Sequence, residues 1–344
     1  MLYNSLKHMK QNSISIKDVA KLANVSTATV SRVIHNNGRF SKETKDRVEK
    51  IINEHNYKPN IIAQGLRTNS TRIIAIIVPD ISNEFFSIIV SVIQKKAFEN
   101  NYSCVVFNTN ETLELEIQSL NSIQSLNVSG IISFNGKFDL SEKFNDIPIV
   151  YVDRDSTKFK KNKNCVFITA DHEEGGYLAG EKLAKDGCKT VACITALEDA
   201  DATKIRTKGF RKACSDYGMK IVKIYNPDNI THTDGYIITN DMARSGIRVD
   251  GIFCETDWLA VGCCQALIDN NISVPKDCEV IGYDGIRVTE SVTPTITTIK
   301  QPKTMIGEES IKYLLSLIRN EKIDSNVIKL KTELIVRRST RQLL

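Results

Sequence analysis

The sequence predicts a small all-α domain joined by a short linker to a two-lobed α/β body with doubly wound parallel sheets. Three observations predict it. Residues 16–33 compress two apolar-faced helices and an Asn-centred turn into a single stretch. From residue 72 onward, apolar runs alternate with helical stretches, the rhythm of parallel sheets covered on both faces. The charge is also divided: the first 72 residues carry 13 Lys/Arg against 5 Asp/Glu, and the remainder carries 33 against 36. A basic N-terminal module on a mildly acidic body is expected when that module alone meets a polyanion.

The first helix places Val19, Ala20 and Ala23 on one face, with Ala20 small where two helices must cross. Asn24 occupies a turn that needs a left-handed backbone, which Asn tolerates well. Ser26 is positioned to cap the second helix, and Val25, Val30 and Val33 return that helix to the core. Its other side presents Thr27, Ala28, Thr29, Ser31 and Arg32. This face is short, polar and free of carboxylates, as a major-groove surface requires, and Arg32 is able to pair bidentately with guanine. A third helix begins at Ser41, with Val48, Ile51 and Ile52 at helical spacing. Pro59 ends that module and is tolerated in the first turn of a short helix from Asn60 to Leu66, made marginal by Gly65. A polar linker, Thr68 to Thr71, follows.

In the body, the runs RIIAIIV, CVVF, GIISF, PIVYV, VACIT, IVKIY, GIFCE and CEVIGY read as strands, and 84–100, 113–127, 173–186, 203–218 and 257–270 read as helices. About 270 residues exceed one typical domain, so two lobes are expected. Ligands of such sheets sit beyond the carboxyl ends of the strands, where Asp80, Asp153, Asp257 and Asp284 fall. Each has a structural account as a cap or turn former. Capping is the favoured role for Asp257, directly before WLAVGCCQAL, whereas Asp284 lies in a Tyr-Asp-Gly turn with no helix immediately after it.

No apolar run approaches the roughly 18 residues of a membrane span, and the first dozen residues lack the apolar stretch of a signal peptide. A cytoplasmic protein without membrane partners is expected. An extracytoplasmic solute-binding protein would share the body but not the basic helical module. Nine cysteines from Cys104 to Cys278, with no C-x-x-C pair and no His at ligand spacing, read as buried thiols, so neither disulfides nor a metal is expected. The chain lacks G-x-G-x-x-G, G-x-x-x-x-G-K-[ST], H-E-x-x-H and G-x-S-x-G, which argues against an enzyme and against a cofactor.

The stretches IKDVAKLANVSTATVSRV, YKPNIIAQGLR, IIVPDISNEFF, VDRD, DHEEGGYLAGEKL, RTKGF, TDWLAVG, VIGYDG, TTIKQP and ELIVRRST resemble the lactose/galactose repressor (LacI/GalR) family over residues 15–344. The resemblance implies a helix-turn-helix domain at 14–58, a hinge helix and linker at 59–70, and a periplasmic-binding-protein-like body at 71–344. It implies that the chain crosses between lobes near 170, 300 and 330, with lobe 1 about 71–170 and 301–330 and lobe 2 about 171–300 and 331–344. By it, Thr27, Ala28 and Arg32 align with base-reading positions beside Ser26, Thr29 and Ser31. Asn60, Ala63 and Leu66 become hinge contacts, Leu66 as a minor-groove wedge. The implied function is that of a homodimeric repressor reading a pseudo-palindromic operator under control of a small effector.

The effector set implied is Asp284 first, then Arg206, the aromatic pair Phe85 and Phe86, and Asp153, Thr256 and Gln301. Such groups suit a polyhydroxylated molecule. Sugars lead, followed by sugar phosphates and nucleosides or purines; a phosphoprotein co-regulator, as in the catabolite-control branch, is the alternative signal. The chain departs from the family pattern at Asn24, where glycine is usual, at Gly65, and in NPDNITHTDG, which lacks an aromatic.

Overall fold

The computed structural model describes residues 14–34, 36–55, 57, 71–134, 138–154, 163–196 and 201–341. Two compact units result, residues 1–71 and 72–344.

The first unit holds α1 (Ile16–Leu22), α2 (Thr27–Ile34) and α3 (Lys42–Glu54). A capping box opens α1: the Ser15 amide donates to the Asp18 carboxylate at 2.8 Å, and the Ser15 hydroxyl accepts from the Asp18 amide. Asn24, at φ 52°, supplies the left-handed turn after it. The amides of Asn24 and Val25 return to the carbonyls of Lys21 and Ala20, closing the helix in the Schellman manner. Ser26 then caps α2 by accepting the Thr29 amide at 3.1 Å. Val19, Ala20, Ala23, Val30, Val33 and Val48 form the core of the unit, with Val25, Ile51 and Ile52 packed against it.

In the second unit, β1 (Ile73–Val78), α4 (Glu84–Glu99), β2 (Ser103–Asn108), α5 (Leu113–Leu126), β3 (Gly130–Ser133), α6 (Leu140–Lys143), β4 (Ile149–Val152) and β5 (Cys165–Ala170) build the first lobe. The chain then passes into α7 (His172–Lys185), β6 (Thr190–Ile194), α8 (Asp201–Asp216), β7 (Lys220–Tyr225), α9 (His232–Arg244), β8 (Gly251–Cys254), α10 (Asp257–Asp269), β9 (Glu279–Asp284), α11 (Val288–Ser291) and β10 (Thr297–Lys300). It returns for α12 (Lys303–Ile318) and β11 (Val327–Leu330), and crosses again to β12 (Glu333–Ile335). The sheet orders are β11-β5-β4-β3-β1-β2 and β12-β10-β9-β8-β6-β7, so the three crossings fall after β5, after β10 and after β11.

Continuous apolar runs are explained by burial on both faces. In β1, Ile74, Ile76 and Val78 join the layer under α4 and α12, while Ala75 and Ile77 join the layer under α5. In the second lobe, Ala192, Ile252 and Val280 face α9 and α10, while Val191, Phe253 and Ile281 face α7 and α8. Eight of the nine cysteines are buried, and Cys104 is half-buried; burial pushes the Cys104 thiol up to about 11.

The parallel expectation fails at one edge, where β12 runs antiparallel to β10. This strand arrives by a short crossing from the other lobe, not by a helix, so nothing forces it parallel. β5, β10, β11, α9 and α12 also lie outside the runs read from the sequence. In β10 the signal is lost because Thr297 and Thr298 are buried polar residues, Thr297 bonded to the carboxyl-terminal segment at Arg337 and Thr340. For α9 the signal was present within NPDNITHTDG itself: Thr231 and Asp234 form a capping box.

Candidate DNA-reading face and effector cleft

On α2, Ala28 and Arg32 are exposed and Thr27, Thr29 and Ser31 half-buried, while Val30 and Val33 are buried beneath. The Thr29 hydroxyl lies 3.0 Å from that of Ser26, which holds the first turn of the face. The aliphatic stem of Arg32 lies over Gly38; a Cβ there would stand 3.1 Å from Arg32 Cδ. Gly38 therefore leaves room for the stem while the guanidinium stays exposed. Arg32 makes no ion pair with a carboxylate among the described residues. Asn60, Ala63 and Leu66 fall outside the described residues.

In the body, the seam between the lobes holds a buried polar network. Asp153 follows β4 at φ 54°, and Asp284 ends β9 at φ 111°. His172, the first residue of α7, places Nε2 3.1 Å from the Asp153 carboxylate and Nδ1 3.0 Å from the Tyr283 hydroxyl. Arg206 Nε donates to the same Nδ1 at 3.3 Å. Burial pushes His172 below its ordinary value, opposed by Asp153, so the ring is neutral. Its proton sits on Nε2 facing the carboxylate, and Nδ1 accepts from Tyr283 and Arg206.

The Arg206 guanidinium lies 3.9 Å over the Tyr283 ring, donates to the Glu255 carbonyl at 2.8 Å, and stands 3.9 Å from the Asp284 carboxylate. Gln301 donates to Asp284 at 2.7 Å, and its Oε1 is buried without a hydrogen-bond partner among the described residues. Burial raises the Asp284 carboxyl to about 6 despite Arg206, Gln301 and Lys303; for the same reason Glu255 rises to about 7. Asp153 is also buried, but His172 and Arg206 together hold it below its usual range.

Of the expected set, then, Asp153, Arg206, Asp284 and Gln301 come together. Asp80 does not join them; its carboxylate accepts the amide and hydroxyl of Ser82 within its own loop. Phe85 is buried in the core of the first lobe, whereas Phe86 is half-buried and meets Phe134 edge-on at 5.6 Å. The capping role expected of Asp257 is corrected. Thr256 caps α10 by accepting the Leu259 amide, and Asp257, one residue further, turns to the Thr298 hydroxyl at 2.6 Å and the Ile286 amide at 2.8 Å. His172, Tyr283, Glu255 and Lys303 stand outside the expected set; Tyr283, Glu255 and Lys303 each adjoin or lie within two residues of an expected one, in GYDG, CETD and QPK, whereas His172, in DHEEGG, has none nearby.

The model of the bacterial regulatory proteins of the lacI family matches residues 15–60, and that of a periplasmic binding protein-like domain matches residues 181–340. The HTH-type transcriptional repressor PurR of Vibrio parahaemolyticus is 30% identical over 335 residues, covering 96% of this chain and 99% of that protein. The ribose operon repressor of Halalkalibacterium halodurans is 30% identical over 328 residues, covering 95% and 97%. Among solved structures, the lac repressor dimer bound to operator and the anti-inducer ONPF superposes with a TM-score of 0.87 at 25% identity, covering 96% and 99%.

Proposed function

Because the chain belongs to the lacI family of bacterial regulatory proteins, we propose that it is a cytoplasmic, non-enzymatic transcriptional repressor. In this reading it binds a pseudo-palindromic operator as a homodimer and answers to a small effector held between the lobes of its body. One observation carries the control. The network running from Asp153 in the first lobe through His172 to Arg206 and Asp284 in the second joins both lobes, so a molecule held there acts on both. The hinge helix and linker expected over 59–70, with Asn60, Ala63 and Leu66 as the DNA contacts, belong to this proposal.

A neutral polyol, a sugar above all, fits the cleft better than an anion. Arg206 is engaged by His172 and Glu255, and Lys303 directs its ammonium at the carbonyls of Asp284 and Gly285. Acceptor capacity is left on the Asp284 carboxylate and Gln301 Oε1, which hydroxyl donors satisfy, and the Arg206 N–H groups not used by His172 and Glu255 suit hydroxyl oxygens. The ribose operon repressor among the relatives agrees with this chemistry. A thermal-shift screen of sugars, sugar phosphates, nucleosides and purines, followed by operator binding with and without each hit, tests it. Hits confined to phosphorylated compounds would overturn the neutral-ligand reading.

Hydroxyl donors favour ionised Asp284, so binding draws its carboxyl down from about 6 and releases a proton. Effector affinity is therefore expected to weaken about tenfold per pH unit below pH 6 and to level off above it. Calorimetry in buffers of differing ionisation enthalpy reads the proton directly, and a proton taken up instead would refute the sign. On the DNA side, Arg32→Ala is expected to weaken specific operator binding by about 1–3 kcal/mol and random-sequence binding much less. Equal losses on both DNAs, at one salt concentration, would make Arg32 a phosphate contact only.

A further inference from the structure

The turn that follows Asp284 is gripped from both lobes. Asp284 and Gly285 have φ of 111° and 65°, reversing the chain at the end of β9. On the second-lobe side, the Gly285 amide donates to the Thr298 hydroxyl at 3.3 Å and the Ile286 amide to Asp257 at 2.8 Å. On the first-lobe side, Lys303, first residue of α12, donates to the carbonyls of Asp284 and Gly285. Glu84, first residue of α4, accepts the Arg287 amide on both carboxylate oxygens at 3.2 Å, across 203 positions of sequence. Between these ties Ile286, only 2% exposed, joins the apolar cluster of the first lobe with Phe85, Ile89 and Ile306.

The Arg287 side chain itself is almost free: its Nε lies 3.6 Å from Glu84 but the group is 87% exposed, where such pairs contribute little. The backbone amide against a carboxylate is the stronger bond.

We infer that Glu84 is the positioning residue that couples the effector cleft to the first lobe. Asp284 stands at one end of a four-residue turn and Arg287 at the other, and the far end is tied to α4. That helix follows β1, which begins at Ile73, two residues beyond the end of the DNA-reading unit. A ligand that shifts Asp284 therefore shifts the strap to α4. The coupling group on the second lobe is the Arg287 backbone and not its guanidinium. This inference rests on the regulatory reading above.

The test uses the full-length protein and a DNA duplex selected by the parent from a randomised pool, and needs no effector. Hydrogen–deuterium exchange at the Arg287 amide and affinity for that duplex are measured in the parent, Glu84→Ala, Glu84→Gln and Arg287→Ala. Glu84→Ala is expected to raise exchange at Arg287 about tenfold and to change duplex affinity about threefold or more. Glu84→Gln, which keeps a carbonyl acceptor, and Arg287→Ala, which keeps the amide, stay within about twofold of the parent. Should Glu84→Ala unfold, Glu84→Asp, one methylene too short for both contacts, is read the same way. Unchanged exchange, raised exchange with unchanged duplex affinity, or an Arg287→Ala effect as large as that of Glu84→Ala would each overturn the coupling role. Failure of the parent to select any duplex overturns the regulatory reading instead, and the exchange experiment still judges the strap.

Discussion

Asp284→Ala is expected to keep operator affinity and lose the response to effector. The carboxylate is buried at the seam, bonded to Gln301 at 2.7 Å and facing Arg206 at 3.9 Å. Hydrogen bonds to a charged group are worth roughly 1.5–3 kcal/mol, so losing the ligand contacts weakens effector binding about tenfold to a hundredfold. The helix-turn-helix unit is untouched, which separates signalling from DNA recognition. Asp284→Asn is the milder companion, because its amide oxygen still accepts from Gln301. Arg206→Ala is expected to behave like Asp284→Ala, with a further loss of stability, since it strips the positive partner from buried Asp284 and the donor from His172. Calorimetry on the full-length protein without DNA reads effector affinity alone. Unchanged affinity in Asp284→Ala would return that residue to the role of turn former.

The second large effect is expected at a position with no polar chemistry. Gly209 of α8 and Gly176 of α7 lie where those helices cross. A Cβ on Gly209 would stand 1.9 Å from the Glu173 carbonyl oxygen, and one on Gly176 would stand 2.0 Å from that of Arg206. Both obstacles are backbone, which no rotamer change relieves, so Gly209→Ala forces the helices apart. Overpacking of side chains costs about 1–3 kcal/mol, and this backbone clash should reach about 3 kcal/mol or more. Because Arg206 is carried on α8, effector affinity should fall with stability. Gly187→Ala is the control: Gly187 has φ 91° but nothing within 4 Å of an added Cβ, so only the backbone strain of about 1–2 kcal/mol applies. Urea denaturation compares the two variants. A Gly209→Ala loss no greater than that of Gly187→Ala would show that the two helices separate at little cost.

These glycines illustrate how much of the molecule is legible in its residues. Gly176 stands in DHEEGGYLAGEKL and Gly209 in RTKGF, stretches that sequence reading singled out, yet neither stretch says that it crosses the other. Asn24 and Ser26 are different. The turn at φ 52° and the cap on the Thr29 amide are local events within four or five residues, and the sequence states them outright. The α/β rhythm is equally local, because burial of both sheet faces writes itself as unbroken apolar runs.

Side-chain partnership across the cleft is not local. Asp257 reads as a cap because it precedes a helix, and only the approach of Thr298 and Ile286, about 30 to 40 positions away, turns it elsewhere. His172, 111 positions from Tyr283, and Glu84, 203 positions from Arg287, carry no mark of their partners in the surrounding residues. Periodicity, capping and turn chemistry are decided within one or two turns of chain, so the helical module, the layered body and the strand-end carboxylates were present in the amino-acid order alone. Which buried charges meet depends on how two sheets, each assembled from discontinuous segments, bring the carboxyl ends of strands such as β4 and β9 together; there, distance along the chain has no bearing on distance in space, and the tertiary structure alone decides.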